Sequence, residues 1–159
     1  LFTVPKSSII FIEIKCGSEI IPALEADLAK TGLGPEQVFL IGFIDNQRSV
    51  STMLNLADTF STFDIYALFG KSILQIRKLL AMKEALAGYI INEAKAVHAK
   101  GIDIPLQLAS ENIFTHAHDH GLSCHVWNVL KPEHAKWLYS LGVDTVTTDK
   151  PKLLSQVNI

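Results

Sequence analysis

Glu13 and Lys15 stand two residues apart at the end of the apolar run Ser8-Ile-Ile-Phe-Ile-Glu-Ile-Lys15. In an extended strand that spacing points both side chains to one face, together with Phe11, while Ile10, Ile12 and Ile14 point to the other. Apolar residues on both faces predict a parallel strand buried on both sides. A carboxylate and an ammonium on such a strand are either a structural ion pair closing its end or part of a site. At the carboxyl ends of parallel strands a Glu can hold a divalent cation, and a Lys can neutralise a phosphate or a developing oxyanion. The spacing alone admits both readings.

A second group with metal-binding chemistry is His116-Ala-His118-Asp-His120, in which His116 and His120 share one face of a helix at i and i+4. No Glu accompanies the pair as it would in a zinc hydrolase helix, and histidines suit the negative end of a helix dipole, so the segment reads as a solvated helix end. Cys16 and Cys124 have neither metal-ligand nor redox spacing and read as free thiols, buried or half-buried. Such thiols suit a reducing compartment and favour the cytoplasm.

The elements that must position these groups alternate. Short β-rich runs are predicted at Ile9–Lys15, Val38–Phe43, Ile65–Phe69, Ile102–Leu106, Leu122–Val129 and Asp144–Thr148. Between them lie helical patterns at Glu19–Lys30, Asn46–Asp58, from Gly70 to Lys100, Ser110–His120 and Pro132–Leu141. The first has Ser18 as its expected N-cap, Pro22 in its first turn and Gly32 beyond its end. The long one is expected to break near Ala87-Gly88. Lys152–Gln156 reads as a short closing helix with Val157–Ile159 as its frayed end, and Leu1–Ser8 as a loop feeding the first strand. Strand and helix in alternation give an α/β fold with a parallel sheet.

With 159 residues, 48% of them hydrophobic, the chain can bury one core and is read as a single domain. Its formal net charge of −2 speaks against a nucleic-acid surface. Charged or amide residues interrupt every apolar run well short of the roughly 18 residues a membrane span needs. Six βα units make either an open doubly wound sheet or a barrel short of two units. No Gly-rich phosphate loop follows any strand, so a dinucleotide site lacks its chemistry.

Two stretches choose the barrel by resemblance. Ile12-Glu13-Ile14-Lys15 is similar to a strand of the glycerophosphodiester phosphodiesterases. His125-Val-Trp127-Asn-Val129, followed by Gly142-Val-Asp-Thr-Val-Thr-Thr-Asp149-Lys-Pro151, resembles that family's closing signature. Val38–Phe43 sits where the family has a strand ending in Ser-Phe, and Ala117–Leu122 resembles its approach to the tryptophan strand. The resemblance implies a TIM-type (β/α)8 barrel, here incomplete at about six units. It implies metal-dependent hydrolysis of a small-molecule glycerophosphodiester to an alcohol and glycerol 3-phosphate. It also implies Glu13 as ligand of Ca²⁺ or Mg²⁺, Lys15 as the cation near the phosphate, and Trp127 and Phe43 as substrate-binding walls.

The family's first strand ends in His-Arg-Gly, its second carries Glu-x-Asp and a His-Asp follows; no predicted strand of this sequence carries them, and His118-Asp119 is not a substitute because it falls in a helix late in the chain. Those early motifs would supply two catalytic histidines and two metal-ligand carboxylates, so catalysis is expected only when an N-terminal segment or a second chain completes the barrel. The alternative is a non-catalytic, family-derived interaction protein or a self-associating partial barrel, whose open strand edges invite pairing. Within the match, Gly42 replaces the family's Ser and Leu130 its Asn, which predicts the loss of two polar groups near the barrel mouth, with Asn128 as a partial substitute. His125 is expected to be a satisfied core histidine, Trp137 to pack on the barrel, and Asp149 either to support the site from behind its contact residues or, the favoured reading, to cap the last helix.

Overall fold

The computed structural model describes Pro5, residues 7–70 and residues 83–155. The expectations for Leu1–Val4, for residues 71–82 and for residues 156–159 lie outside these. Six strands follow one another: β1 (Ile10–Ile14), β2 (Val38–Phe43), β3 (Asp64–Leu68), β4 (Gly101–Pro105), β5 (Ser123–Trp127) and β6 (Thr145–Val146). The described α-helices are α1 (Ile21–Thr31), α2 (Gln47–Thr59), α3 (Lys83–Ala96), α4 (Glu111–Asp119), α5 (Pro132–Ser140) and α6 (Pro151–Leu154). Each strand pairs in parallel with the next, and the order across the sheet is the order along the chain. A doubly wound sheet would reverse that order at a switch point, whereas a barrel keeps it.

The sheet curls. Phe11 on β1 and His125 on β5 are four strand intervals apart, which in a flat sheet is about 19 Å, yet their ring centroids are 5.4 Å apart. The architecture is therefore an arc of a TIM-type α/β barrel. Its convex side carries the main core. Leu40, Ile65, Ile102, Ile104 and Val126 pack there against Met53, Leu56, Ile90, Phe114 and Leu138 of the helices, all of them buried. A smaller cluster of Ile41, Tyr66 and Leu68, bordered by Phe39, Phe43 and Trp127, lines the concave side.

Several local expectations change. β1 is not buried on both faces. It is the first strand of the arc, and its concave face is open, with Phe11 40% exposed and Ile9, just before the strand, 50% exposed. Ser18 does not cap α1. Residues Ser18–Ile20 form a 3-10 turn because the Glu19 carboxylate takes the Gly17 N–H at 3.0 Å, so the α-helix begins only at Ile21. The Ser18 hydroxyl instead accepts the Asn55 amide at 2.8 Å, tying the turn to α2. Gly32 ends α1 in the left-handed conformation, φ 66°, that glycine adopts without strain. Asn46 and Ser49 form a reciprocal capping box at the start of α2. No break occurs at Ala87-Gly88: both lie within α3, where packing of Ala87 and Ile90 on the core overrides the weak helix propensity of one glycine. Trp137 does not pack down but stays 43% exposed, while its neighbour Leu138 takes the buried position.

Candidate active site

Alternation along the strands sorts the chemistry to one side. Phe11 and Glu13 of β1, Ile41 and Phe43 of β2, Leu68 of β3, Asp103 of β4 and Trp127 of β5 all line one concave cleft of about 360 Å³. Asn128, Thr147 and Asp149, just beyond the carboxyl ends of β5 and β6, form its rim. Ligand sites of parallel barrels lie at these strand ends.

Three of the residues read from sequence, Glu13, Phe43 and Trp127, thus meet in one place although more than 80 residues separate the last two. Lys15 does not line that cleft. It opens onto a neighbouring hollow of about 520 Å³ between the end of β1 and the start of α2, beside Asp45, Asn46 and Arg48. An ion pair joins the two regions, with Lys15 Nζ 3.3 Å from Glu13 Oε2. The lysine side chain is 73% exposed, so the pair adds little to stability and leaves Lys15 free to turn.

Asp103 was not singled out by sequence. Its signal is the same as that of Glu13: one carboxylate between apolar neighbours, Ile102 and Ile104, in a strand that is buried throughout. The residue is only 6% exposed, and its Oδ1 has no hydrogen-bond partner. Burial, and then the negative charge of Glu13, push its carboxyl up to about 7. His125 lies beside it in register. Burial holds that imidazole down at about 4, against the pull of Asp144, so it is neutral at pH 7. It is not the fully satisfied core histidine expected: Nδ1 bonds the Thr145 hydroxyl, but Nε2 has no partner. The Trp127 indole N–H is also buried without an acceptor.

These are the three orphaned buried side-chain polar atoms among the described residues, and all three belong to concave-facing positions of β4 and β5. Buried polar groups are normally paired. A concave face that leaves three of them unpaired is arranged for atoms from outside this arc, either a ligand or the remaining barrel wall. Glu13, Asp103 and Asp149 bring three carboxylates to the cleft, and among the described residues no basic side chain lines it; carboxylate oxygens are the donors a hard divalent cation takes, but the three do not converge on one point.

Two rim residues differ from expectation. Asp149 does not cap α6, whose preceding residue Lys150 has no side-chain cap bond. The Asp149 carboxylate accepts the Asn128 amide N–H, and its backbone N–H donates to Asn128 Oδ1 at 3.3 Å, so the strand ends of β5 and β6 are clasped together. Gly42 is not at the mouth either. A Cβ there would run into Met53 Sδ, so position 42 faces α2 on the convex side and its missing hydroxyl is no loss to the cleft. Leu130 is exposed and outside the cleft.

The histidine helix carries no site of its own. The ring Nδ1 atoms of His116 and His120 each lie 2.8 Å from a helix carbonyl, of Asn112 and His116 respectively. His118, Cys124 and Asp144 do place one ligand atom each within 4.8 Å of one another. Asp144 Oδ2 there already accepts the Cys124 N–H at 2.7 Å and meets His118 Nε2 at 3.1 Å. Burial pushes the Cys124 thiol up to about 12, far from a thiolate. The trio is a structural clasp between α4, β5 and the loop entering β6. Neither cysteine is in a disulfide; Cys124 is buried as expected, whereas Cys16 is exposed.

A parallel, sequentially ordered barrel arc with a carboxylate-lined cleft at its strand ends belongs to the large class of TIM-barrel proteins, whose active sites occupy that position. Within that class, the family model of the glycerophosphoryl diester phosphodiesterase family matches residues 44–153, and the chain belongs to that family. Solved structures agree in fold. A protein assigned as a glycerophosphodiester phosphodiesterase from Galdieria sulphuraria superposes with a TM-score of 0.70 at 19% identity, covering 92% of this chain and 56% of that one. One similarly assigned from Agrobacterium tumefaciens gives 0.71 at 22%, covering 91% and 55%. A phosphodiesterase from Oleispira antarctica, solved in complex with the product sn-glycerol-3-phosphate, gives 0.67 at 15%, covering 94% and 54%. No curated protein matches. The chain spans just over half the length of the solved structures it resembles. Among the described residues no helix is long and apolar enough to cross a membrane.

Proposed function

We propose that this chain is the C-terminal portion of the barrel of a metal-dependent glycerophosphodiester phosphodiesterase, read as one domain, which releases an alcohol and glycerol 3-phosphate. The observation that carries the reading is the concave cleft in which Glu13, Trp127 and Phe43 meet at the strand ends, in a chain of this family. Glu13 would hold a divalent cation, which when bound would draw electron density from the phosphoryl group and favour in-line attack by water. Lys15, freed from Glu13, balances phosphate charge. Trp127 and Phe43 form the apolar wall against the glycerol carbons and exclude water from the reacting centre. Water oxygen bonds to phosphorus, the phosphorus–oxygen bond to the alcohol breaks, and the alcohol oxygen takes up a proton. The acid and base for those proton transfers are the two histidines that the resemblance assigns to motifs outside this sequence, so turnover requires the strands that carry them.

The test is hydrolysis of glycerophosphocholine by the full-length protein with and without Ca²⁺ or Mg²⁺. Metal-dependent turnover that Glu13→Ala abolishes is expected; a full-length protein that hydrolyses no glycerophosphodiester at any metal concentration overturns the reading. The exposed residues Phe11, on the concave face of edge strand β1, and Ile9, just before that strand, favour, as a second reading, a family-derived protein that completes its barrel with a second chain and does no catalysis. Intact mass with sedimentation separates the two, since that reading requires a defined oligomer built from chains of this length.

A further inference from the structure

We propose that Asp103 is a second carboxylate ligand of the cation that Glu13 holds, so that one ion bridges β1 and β4 across the barrel interior. The inference rests on the phosphodiesterase reading for Glu13 and extends it to a residue that no motif marks. Asp103 and Glu13 line the same cleft although two strands lie between theirs in the sheet. Curling is what brings them to one cavity, as it brings the Phe11 and His125 rings of β1 and β5 together.

Asp103 is 94% removed from solvent by its 6% exposure, and its Oδ1 has no donor within reach. A carboxylate in that state is costly unless something positive or a donor compensates it. Among the described residues no donor bonds that oxygen: the buried His125 Nε2 and Trp127 Nε1 are themselves without partners, and the other candidates are committed or face elsewhere. Lys15 pairs with Glu13 and lines the other hollow, and the Asn128 amide is given to Asp149. The ring of His125 beside it is turned to Thr145 through Nδ1. With three carboxylates and, among the described residues, no basic side chain on its walls, the cleft supplies oxygen donors in excess of positive partners. A hard divalent cation resolves that imbalance, because carboxylates from separate strands are how oxygen-ligand sites are assembled. Asp103 is the more buried of the two and Glu13 the more exposed, on the first strand of the arc. Such a pairing gives the ion one fixed ligand and one that adjusts as substrate enters.

The measurement is Mn²⁺ binding to the full-length protein in phosphate-free buffer, read from the electron paramagnetic resonance of the free ion. The parent, Asp103→Asn, Glu13→Gln and the double variant are compared, with their thermal midpoints with and without Mn²⁺. Each single variant is expected to weaken Mn²⁺ binding on the order of tenfold or more. The double variant is expected to lose less than the product of the two, because both ligate one ion. Metal-free Asp103→Asn should melt no lower than the parent and gain less from Mn²⁺, whereas a purely structural role for Asp103 would lower its midpoint with or without metal. Should the near-isosteric Asn variant not fold, Asp103→Ser is the second variant. Parent-like Mn²⁺ affinity in Asp103→Asn, with affinity lost in Glu13→Gln, overturns this inference and leaves the role of Glu13 standing. No Mn²⁺ binding by the parent, or no change in either variant, overturns both.

Discussion

The two faces of the sheet are made from the same six strands, one residue out of phase, and they differ in almost every physical respect. On the convex face Leu40, Ile65, Ile102, Ile104 and Val126 are buried against helices and leave no polar atom unpaired. On the concave face aromatic rings meet at 4.3 to 6.2 Å, Phe11 stays 40% exposed, and Asp103, His125 and Trp127 keep unpaired polar atoms. A protein tolerates unpaired buried polar groups where function uses them, and offsets their cost elsewhere. The convex face therefore carries stability, and on the proposed reading the concave face carries the chemistry, a division that mutations can separate.

The largest separation is expected from two truncations, one on each side. Glu13→Ala should lower metal-dependent turnover by at least about a thousandfold, as expected when a cation worth several kcal/mol to the transition state is lost. Its thermal midpoint should hardly move, because only an exposed ion pair disappears. Phe114→Ala, in a fully buried position of α4 against the convex core, should do the reverse. It should cost about 3–5 kcal/mol of stability by denaturant unfolding while the folded fraction keeps its kcat. Equal loss of stability from both would erase the distinction between the faces.

The convex face was far more legible in sequence than the concave one, and the reason is periodicity. Val38–Phe43 is read to the residue because an unbroken apolar run needs no knowledge of its neighbours. Glu13 was visible as a charge on such a run, and Asp103 carried the same signal between Ile102 and Ile104 but had no motif to draw attention to it. That Glu13, Phe43 and Trp127 share a cleft is a property of curvature, and no spacing along the chain encodes it. Asp149 misled for a different reason. An Asp two residues before Pro151 looks like the cap of a helix, yet Thr148 Oγ1 accepts the Lys150 N–H at 2.9 Å and leaves Asp149 to Asn128. Local signals predicted local partners, and at the strand ends the partners come from the next strand.

A smaller effect is expected in the pH dependence of stability, where two concave groups oppose each other. Asp103, raised from 3.8 to about 7, holds its proton in the folded state where the unfolded chain has lost it. Its contribution is full below about pH 4 and is lost as pH rises to about 7. His125, lowered from 6.5 to about 4, has the opposite sign: the unfolded state takes up the proton first, so stability falls as pH drops from about 6.5 to 4. Each shift corresponds to up to about 3–4 kcal/mol, and in metal-free protein they largely cancel between pH 4 and 6.5. Asp103→Asn should unmask the His125 limb, giving a protein whose denaturation midpoint rises steadily from pH 4 to 6.5. A flat profile in that variant would mean that His125 is not held neutral by burial.

The smallest expected effect discriminates between the faces at one position. If residue 42 lay at the barrel mouth, Gly42→Ser would restore a hydroxyl that the family pattern has there and should improve KM. The structure sends its Cβ the other way, against Met53 Sδ in a helix packed on the convex side. Met53 is fully buried but unbranched, so part of the overlap is relieved by a rotamer change. The cost should fall at the low end for overpacking, about 1–2 kcal/mol in the denaturant midpoint, with kcat and KM unchanged. Paired with Met53→Ala, which empties the space the new side chain needs, Gly42→Ser should cost less than it does alone, since the two positions are in contact. Improved KM without loss of stability would instead turn β2 over and place its even-numbered residues in the cleft.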